Sequence, residues 1–154
     1  MNFEPGFNGT VLRMLQAKVS VLPENDKLAV LCIDAMAIKT ALKYDKKRDI
    51  VDGFADDGNV RLPRIATKAL VFMVKGLCRK WKQPFCYFLS ASAVSGANLR
   101  ELTLQCIKDV RDIGITVKVV VCDQGATNRT LFSLLGITVE HPFIEFDGIN
   151  IFYV

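Results

Sequence analysis

Two aspartates stand where apolar strands run out. Leu28–Ile33, LAVLCI, leads into Asp34, and Val117–Val121, VKVVV, leads through Cys122 into Asp123. Apart from Lys118, the two runs carry the apolar, β-branched pattern of buried strands. A carboxylate at the carboxyl end of such a strand lies at the open edge of a sheet, where α/β proteins bind ligands. If the strands are neighbours, Asp34 and Asp123 face each other across that edge. Two close carboxylates repel, and a divalent cation removes the penalty. Mg²⁺ takes hard oxygen ligands of this kind. The chemistry open to such a pair is metal-assisted phosphoryl displacement, with two ions about 3.5–4 Å apart. On the residues alone, an aspartate that caps a turn or helix start is the stronger account of each position. Asn128 follows Asp123 closely, and the expectation is that it caps the next helix rather than orienting the carboxylate.

A second feature is basic. Between Arg61 and Lys82 lie Arg61, Arg64, Lys68, Lys75, Arg79, Lys80 and Lys82, with no acidic residue and with Trp81 among them. Two readings stand open: a solvated edge with one packed aromatic, or a phosphate-contacting surface for DNA. The net charge of +4 leans mildly toward anionic partners.

Several classes are excluded. The five cysteines, Cys32, Cys78, Cys86, Cys106 and Cys122, are scattered through apolar runs. That pattern suits reduced, buried thiols rather than a disulfide frame. There is no CxxC and only one histidine, His141, which argues against a zinc site. No apolar run reaches the ~18 residues of a membrane span, and the first residues lack a signal-peptide pattern. No glycine-rich phosphate loop follows either strand. Ile50–Pro63, rich in Asp and Gly, is expected to be a surface loop, without the ligand alternation of a calcium loop. Glu140, Glu145 and Asp147 are the only late acids and receive no role.

The elements that must position the aspartates follow from periodicity. Thr10–Val19 is expected to form a short amphipathic helix, Pro23–Asp26 a turn, and Ala41–Tyr44 an outer strand or hairpin return. Ala69–Val74 and Pro84–Leu89 are strand-like. Asn98–Ile113 is the clearest helix, with Asn98 as N-cap and Gly114 as its stop. Thr127–Leu135 is a short helix ended by Gly136, and the tail is a hairpin about Asp147-Gly148. The aromatic set Phe72, Phe85, Tyr87 and Phe88 is assigned to the core. The order predicts an α/β fold: one mixed sheet with helices on its faces, as in the ribonuclease H-like plan.

The segments LCIDAMAIKTALKYD, Gly53-Phe54, KALVFMVKGL, WKQPFCYFL and VVVCDQGATNR followed by LLGITVEHPF run in order across nearly the whole chain. In this order they resemble the catalytic-domain segment of P element-type and THAP-type DNA transposases. The resemblance implies a ribonuclease H-like domain whose first two metal-binding, catalytic carboxylates are Asp34 and Asp123. It also implies Mg²⁺ or Mn²⁺ as cofactor, DNA as partner, a possible homo-oligomer in full-length relatives, no membrane association, and a nuclear site of action. The first motif departs from the family's Asp-Glu-Met in reading Asp34-Ala35-Met36. The sequence given stops at Val154, ahead of the family's aspartate-proline-histidine motif, GTP-binding insertion and third catalytic acid, and it lacks the N-terminal zinc-coordinating THAP domain. The expectation is therefore a single domain fragment over 1–154, with 1–26 a helical lead-in and 27–154 the sheet core. Such a fragment would be incomplete at its C-terminal end and inactive alone. The alternative is a domesticated, non-catalytic DNA- or protein-binding module of the same fold.

Overall fold

The computed structural model describes residues 4–154, so the first three residues of the expected 1–26 lead-in lie outside the described residues. Strand β1 (Gly6–Phe7) precedes helix α1 (Gly9–Val19). Asn8 caps α1, its Oδ1 accepting from the amides of Thr10 and Val11 at 3.1 Å. A 3-10 turn over Glu24–Lys27 leads into β2 (Leu28–Ala37). Next come β3 (Lys43–Asp45), β4 (Ile50–Asp52), β5 (Phe54–Asp56), β6 (Arg61–Ile65), β7 (Lys68–Gly76) and β8 (Lys82–Ser90). Helix α2 (Gly96–Asp112), β9 (Thr116–Val121), α3 (Ala126–Leu134), β10 (Phe143–Phe146) and β11 (Ile149–Tyr153) complete the order.

The main sheet runs β10-β11-β9-β2-β7-β8-β5-β6, with β1 also paired to β8, while β3 and β4 form a separate ribbon. β7–β8 and β10–β11, joined by turns, pair antiparallel, as do β2 and β7 across the β3–β6 excursion, whereas β2–β9 and β9–β11 are parallel. The one lysine inside the β9 run has a structural reason. The β2–β9 register shifts between Ala29 and Val30, whose partners are Val117 and Val119, so Lys118 is the unpaired bulge residue. Pro84 likewise sits beside the β7–β8 bulge, where the missing amide does least harm.

Alternation along the central strands sorts the core. Ala29, Leu31 and Ile33 of β2, Leu70, Phe72 and Val74 of β7, and Val117 and Val120 of β9 are buried. They join Val11, Leu15 and Val19 of α1, Leu99, Cys106, Ile107 and Val110 of α2, and Leu131 of α3 in one cluster. The helices thus bury one face of the sheet rather than both. The intervening residues Val30, Cys32, Val119 and Met73 stay half-buried, and Asp34, Met36, Val121 and Phe152 are exposed.

Four local expectations need correction. Ile50–Pro63 is not a plain loop. It holds β4, β5 and the start of β6, because Gly53 at φ +110 lets the chain turn between β4 and β5 and Gly58 at φ +87 lets it turn before β6. Tight turns separate strands here, where Asp and Gly content suggested none. Ala41–Tyr44 contributes only its last part, as β3 begins at Lys43. The N-cap of α2 is Ser95, whose Oγ accepts from the Asn98 amide at 3.2 Å, because the helix starts at Gly96, three residues ahead of its apolar stripe at Leu99. Of the four aromatics assigned to the core, Tyr87 is only half-buried, since its neighbours Cys86 and Phe88 take the inward positions. The helix stops came out as expected. Gly114 and Gly136, at φ +95 and +70, each close a Schellman turn: Gly114 N to Arg111 O with Ile115 N to Val110 O, and Gly136 N to Ser133 O with Ile137 N to Phe132 O.

Candidate functional site

The parallel pairing of β2 with β9 brings the two aspartates to one edge. Cys32 pairs with Val121, and each aspartate lies two residues beyond its member of that pair. Pairing continues at Cys122, whose amide donates to the Val154 carbonyl at 3.3 Å, so the chain turns away from the sheet only at Asp123.

The two carboxylates are held differently. Asp34 is exposed on the face shared with Val30 and Cys32, and it makes no hydrogen bond or ion pair among the described residues. Asp123 is fixed. Its Oδ1 accepts from the Gly125 amide at 2.9 Å and from Asn128 Nδ2 at 2.6 Å, while Asn128 Nδ2 also reaches the Asp123 carbonyl at 2.9 Å. Oδ2 is the oxygen left over. The cap of α3 is Gly125, with no side-chain bond to the helix, so Asn128 is an orienting residue and not the expected capping one. One turn into α3, its side chain reaches back to the strand end rather than to its own amides. Its five-residue separation from Asp123 was the signal available in sequence. A Cβ at Gly125 would lie 2.9 Å from Asp123 Oδ1, so a larger residue there would push the carboxylate from its place.

Beside Asp123 opens a cavity of about 340 Å³, walled by Ile33 and Ala35 of β2, Lys68 and Leu70 of β7, and the start of α3. Asp34, on the opposite face of β2 from Ile33 and Ala35, is not in its wall. The aspartates therefore share an edge and not a cavity, and a common ion would have to sit over the rim between them. The donor set suits a hard divalent ion held loosely, with one unengaged oxygen from Asp123 and the free carboxylate of Asp34. No group of three or more His, Cys, Asp or Glu side chains gathers among the described residues.

Thiol chemistry is disfavoured at this edge. Burial, with Asp123 next to it, pushes the Cys122 thiol up to about 11. Burial also raises Cys32, an effect that Lys75 partly offsets. Both remain neutral at physiological pH.

The basic stretch is split by the antiparallel run of β7. Lys68 opposes Ala37 at the carboxyl end of β2, near Asp34, while Lys75 opposes Val30 near the other end. Lys82 pairs with Lys75 across β7–β8, and Arg79 and Lys80 lie in the turn beyond. Two of the seven are already engaged: Arg61 with Asp56 at 2.9 Å and Arg79 with Asp26 at 3.4 Å. Trp81 is anchored to the Asp26 carbonyl at 3.1 Å and packs on the core. Of the seven, Lys68 lies in the wall of the Asp123 cavity and Arg64 on the outer strand β6, and neither is in an ion pair among the described residues.

The sequence model of the family described as "TNP-like, RNase H N-terminal domain" matches residues 3–136. The chain belongs to that family. It is 31% identical over 142 residues to the DNA transposase THAP9 of Homo sapiens, an alignment covering 88% of this chain and 15% of that protein. Among solved structures, the Drosophila P element transposase strand transfer complex superposes with a TM-score of 0.76 at 24% identity, covering 99% of this chain and 31% of that one. The chain thus spans a minor part of the relatives it matches. It is a mixed α/β domain homologous to the RNase H-like region of these TNP-like transposases. No helix among the described residues is long and apolar enough to cross a membrane.

Proposed function

We propose that this chain is the part of a P element-like DNA transposase catalytic domain that carries the first two metal-binding carboxylates, Asp34 and Asp123. The observation that carries the reading is the β2–β9 register, which sets both aspartates at one end of neighbouring parallel strands. Asp34 and Asp123 would hold Mg²⁺ or Mn²⁺, and the ion would supply Lewis-acid stabilisation of the oxygens exchanged at phosphorus. Asn128 and Gly125 would orient Asp123 through Oδ1 and leave Oδ2 for the ion. DNA is the partner, and the site of action is the nucleus. Membership of a transposase family and the unengaged Lys68 in the wall of the Asp123 cavity support DNA as the partner. Homo-oligomerisation and a GTP requirement belong to proposals about the longer relatives.

Taken alone, the chain binds one metal ion loosely and does not cut DNA. A two-metal displacement needs more ligands than two carboxylates, and misplacement by ~1 Å already costs ~10²-fold in rate. A second reading is a non-catalytic DNA- or protein-binding module of the same fold. Nicking of supercoiled plasmid, run beside thermal melting with and without Mn²⁺, separates the readings. The proposal expects a small Mn²⁺-dependent rise in melting temperature without nicking. Robust nicking that vanishes in Asp123→Asn would show a complete enzyme. Melting that ignores Mn²⁺ would leave only the binding module.

A further inference from the structure

A cavity of about 570 Å³ lies next to the Asp123 cavity and carries no assignment. Its floor comes from Leu62 and Leu89, one side from Arg64 of β6, and the other from the Ser90–Ser95 loop and Asn98 at the start of α2. The two cavities share Ser90, Ala93 and Val94 as a common wall. Lys68, the cross-strand partner of Ser90, stands at the junction. Together they form a trough along the sheet edge, from Asp123 past Lys68 to Arg64.

The trough is rigidly framed. Thr67 donates its amide to Ser90 O at 2.9 Å and its hydroxyl to Ala91 O at 3.0 Å, and Ser95 caps α2. Three carboxylates also line the larger cavity, and two of them are ion-paired. Asp56 is tied to Arg61, Glu101 to Arg100, and Asp57 Oδ1 accepts from the amides of Asn59 and Val60. Arg64 and Lys68 have no such partner, and the amides of Ser92, Ala93 and Val94 donate to no protein acceptor among the described residues. A wall that offers unpaired cations and amides around an apolar floor matches a phosphate attached to a planar base. The volume falls in the ~300–1,000 Å³ range of small-ligand sites, and a base can enter only when unstacked and unpaired.

We infer that this trough receives an unpaired nucleotide of the DNA strand, its base between Leu62 and the Ser90–Ser95 loop and its phosphates on Arg64 and Lys68. The inference rests on DNA being the partner proposed above, and it names the part of that partner the chain distinguishes. The test is fluorescence anisotropy in EDTA, so that the metal site plays no part. The probes are one short labelled duplex, either blunt or carrying a three-nucleotide single-stranded overhang. The overhang duplex should bind roughly tenfold more tightly than the blunt one. Ser92→Trp, on an exposed loop, should fill the cavity and remove that preference while leaving blunt-duplex affinity unchanged. Arg64→Ala, on the exposed edge strand, should weaken both probes and lower the salt slope by about one. Equal affinity for both probes overturns the inference but leaves the DNA reading intact. So does a preference that survives in a Ser92→Trp variant with wild-type melting. Absence of binding to either probe at low salt overturns both, whereas the Mn²⁺ response reports separately on Asp34 and Asp123.

Discussion

Asn128 Nδ2 lies 2.6 Å from Asp123 Oδ1, so a residue of α3 sets the orientation of the carboxylate at the end of β9. The Gly125 amide holds the same oxygen. Partners of this kind, one step removed from a metal, typically carry 10–100-fold in affinity. Asn128→Ala should therefore weaken Mn²⁺ binding by about that factor. The bond is exposed, and its loss should cost no more than about 1 kcal/mol of stability. Mn²⁺ titration beside thermal melting checks the pair of effects; unchanged affinity would reduce Asn128 to a packing residue.

The contact of α2 with α3 depends on a glycine. A Cβ at Gly96 would lie 2.4 Å from Thr130 Cγ2, and Thr130 Oγ1 is bonded to the Ala126 carbonyl. Gly96→Ala should destabilise the fold by about 1–3 kcal/mol, through overpacking that exceeds any gain in helix propensity. Denaturant unfolding measures this, and a stabilised variant would show that α3 slides freely on α2.

Much of this arrangement was legible before the structure. The apolar runs before Asp34 and Asp123 fixed two strands, and the glycines at 114 and 136 fixed two helix ends, because each signal acts within a few residues. What stayed hidden is long-range. The division of the basic stretch depends on β7 carrying Lys68 and Lys75 to opposite ends of the sheet. The cap of α2 shifted to Ser95 because its first turn bears no apolar stripe. Asn128 read as a cap since sequence shows the helix start but not which oxygen the side chain meets. The Asp/Gly-rich stretch hid strands, since their short inward runs are punctuated by turn residues.

Tyr153 carries an unsatisfied group. Its hydroxyl is buried without a hydrogen-bond partner, and burial pushes its pKa up, with Cys122 adding to the effect. The ring packs edge-on to Phe132 at 5.8 Å, a contact that phenylalanine would keep. Tyr153→Phe should be stabilising by about 1 kcal/mol, the cost of leaving a buried polar group unpaired. A loss of stability in urea unfolding would mean that the hydroxyl has a partner in solution.

Asp109 supplies a pH dependence. Burial raises its pKa, an effect that Gln105 only partly opposes through a 2.6 Å bond and to which Asp112 adds. A carboxyl group raised on folding favours the native state below its unfolded pKa, and that contribution is lost as pH rises through the folded value. Asp109→Asn should thus gain stability relative to wild type as pH rises from about 4 to 7. Melting curves across that range test it, and a pH-independent difference would contradict the sign.

Asp34 and Asp123 are proposed to hold one divalent ion between β2 and β9. Free Mn²⁺ followed by electron paramagnetic resonance during titration measures this without any demand for activity. The wild-type chain should take up one Mn²⁺ loosely, with Mg²⁺ competing, and Asp34→Asn and Asp123→Asn should each abolish uptake while the chain stays folded. Uptake that persists in either variant would place the ion elsewhere and contradict the claim.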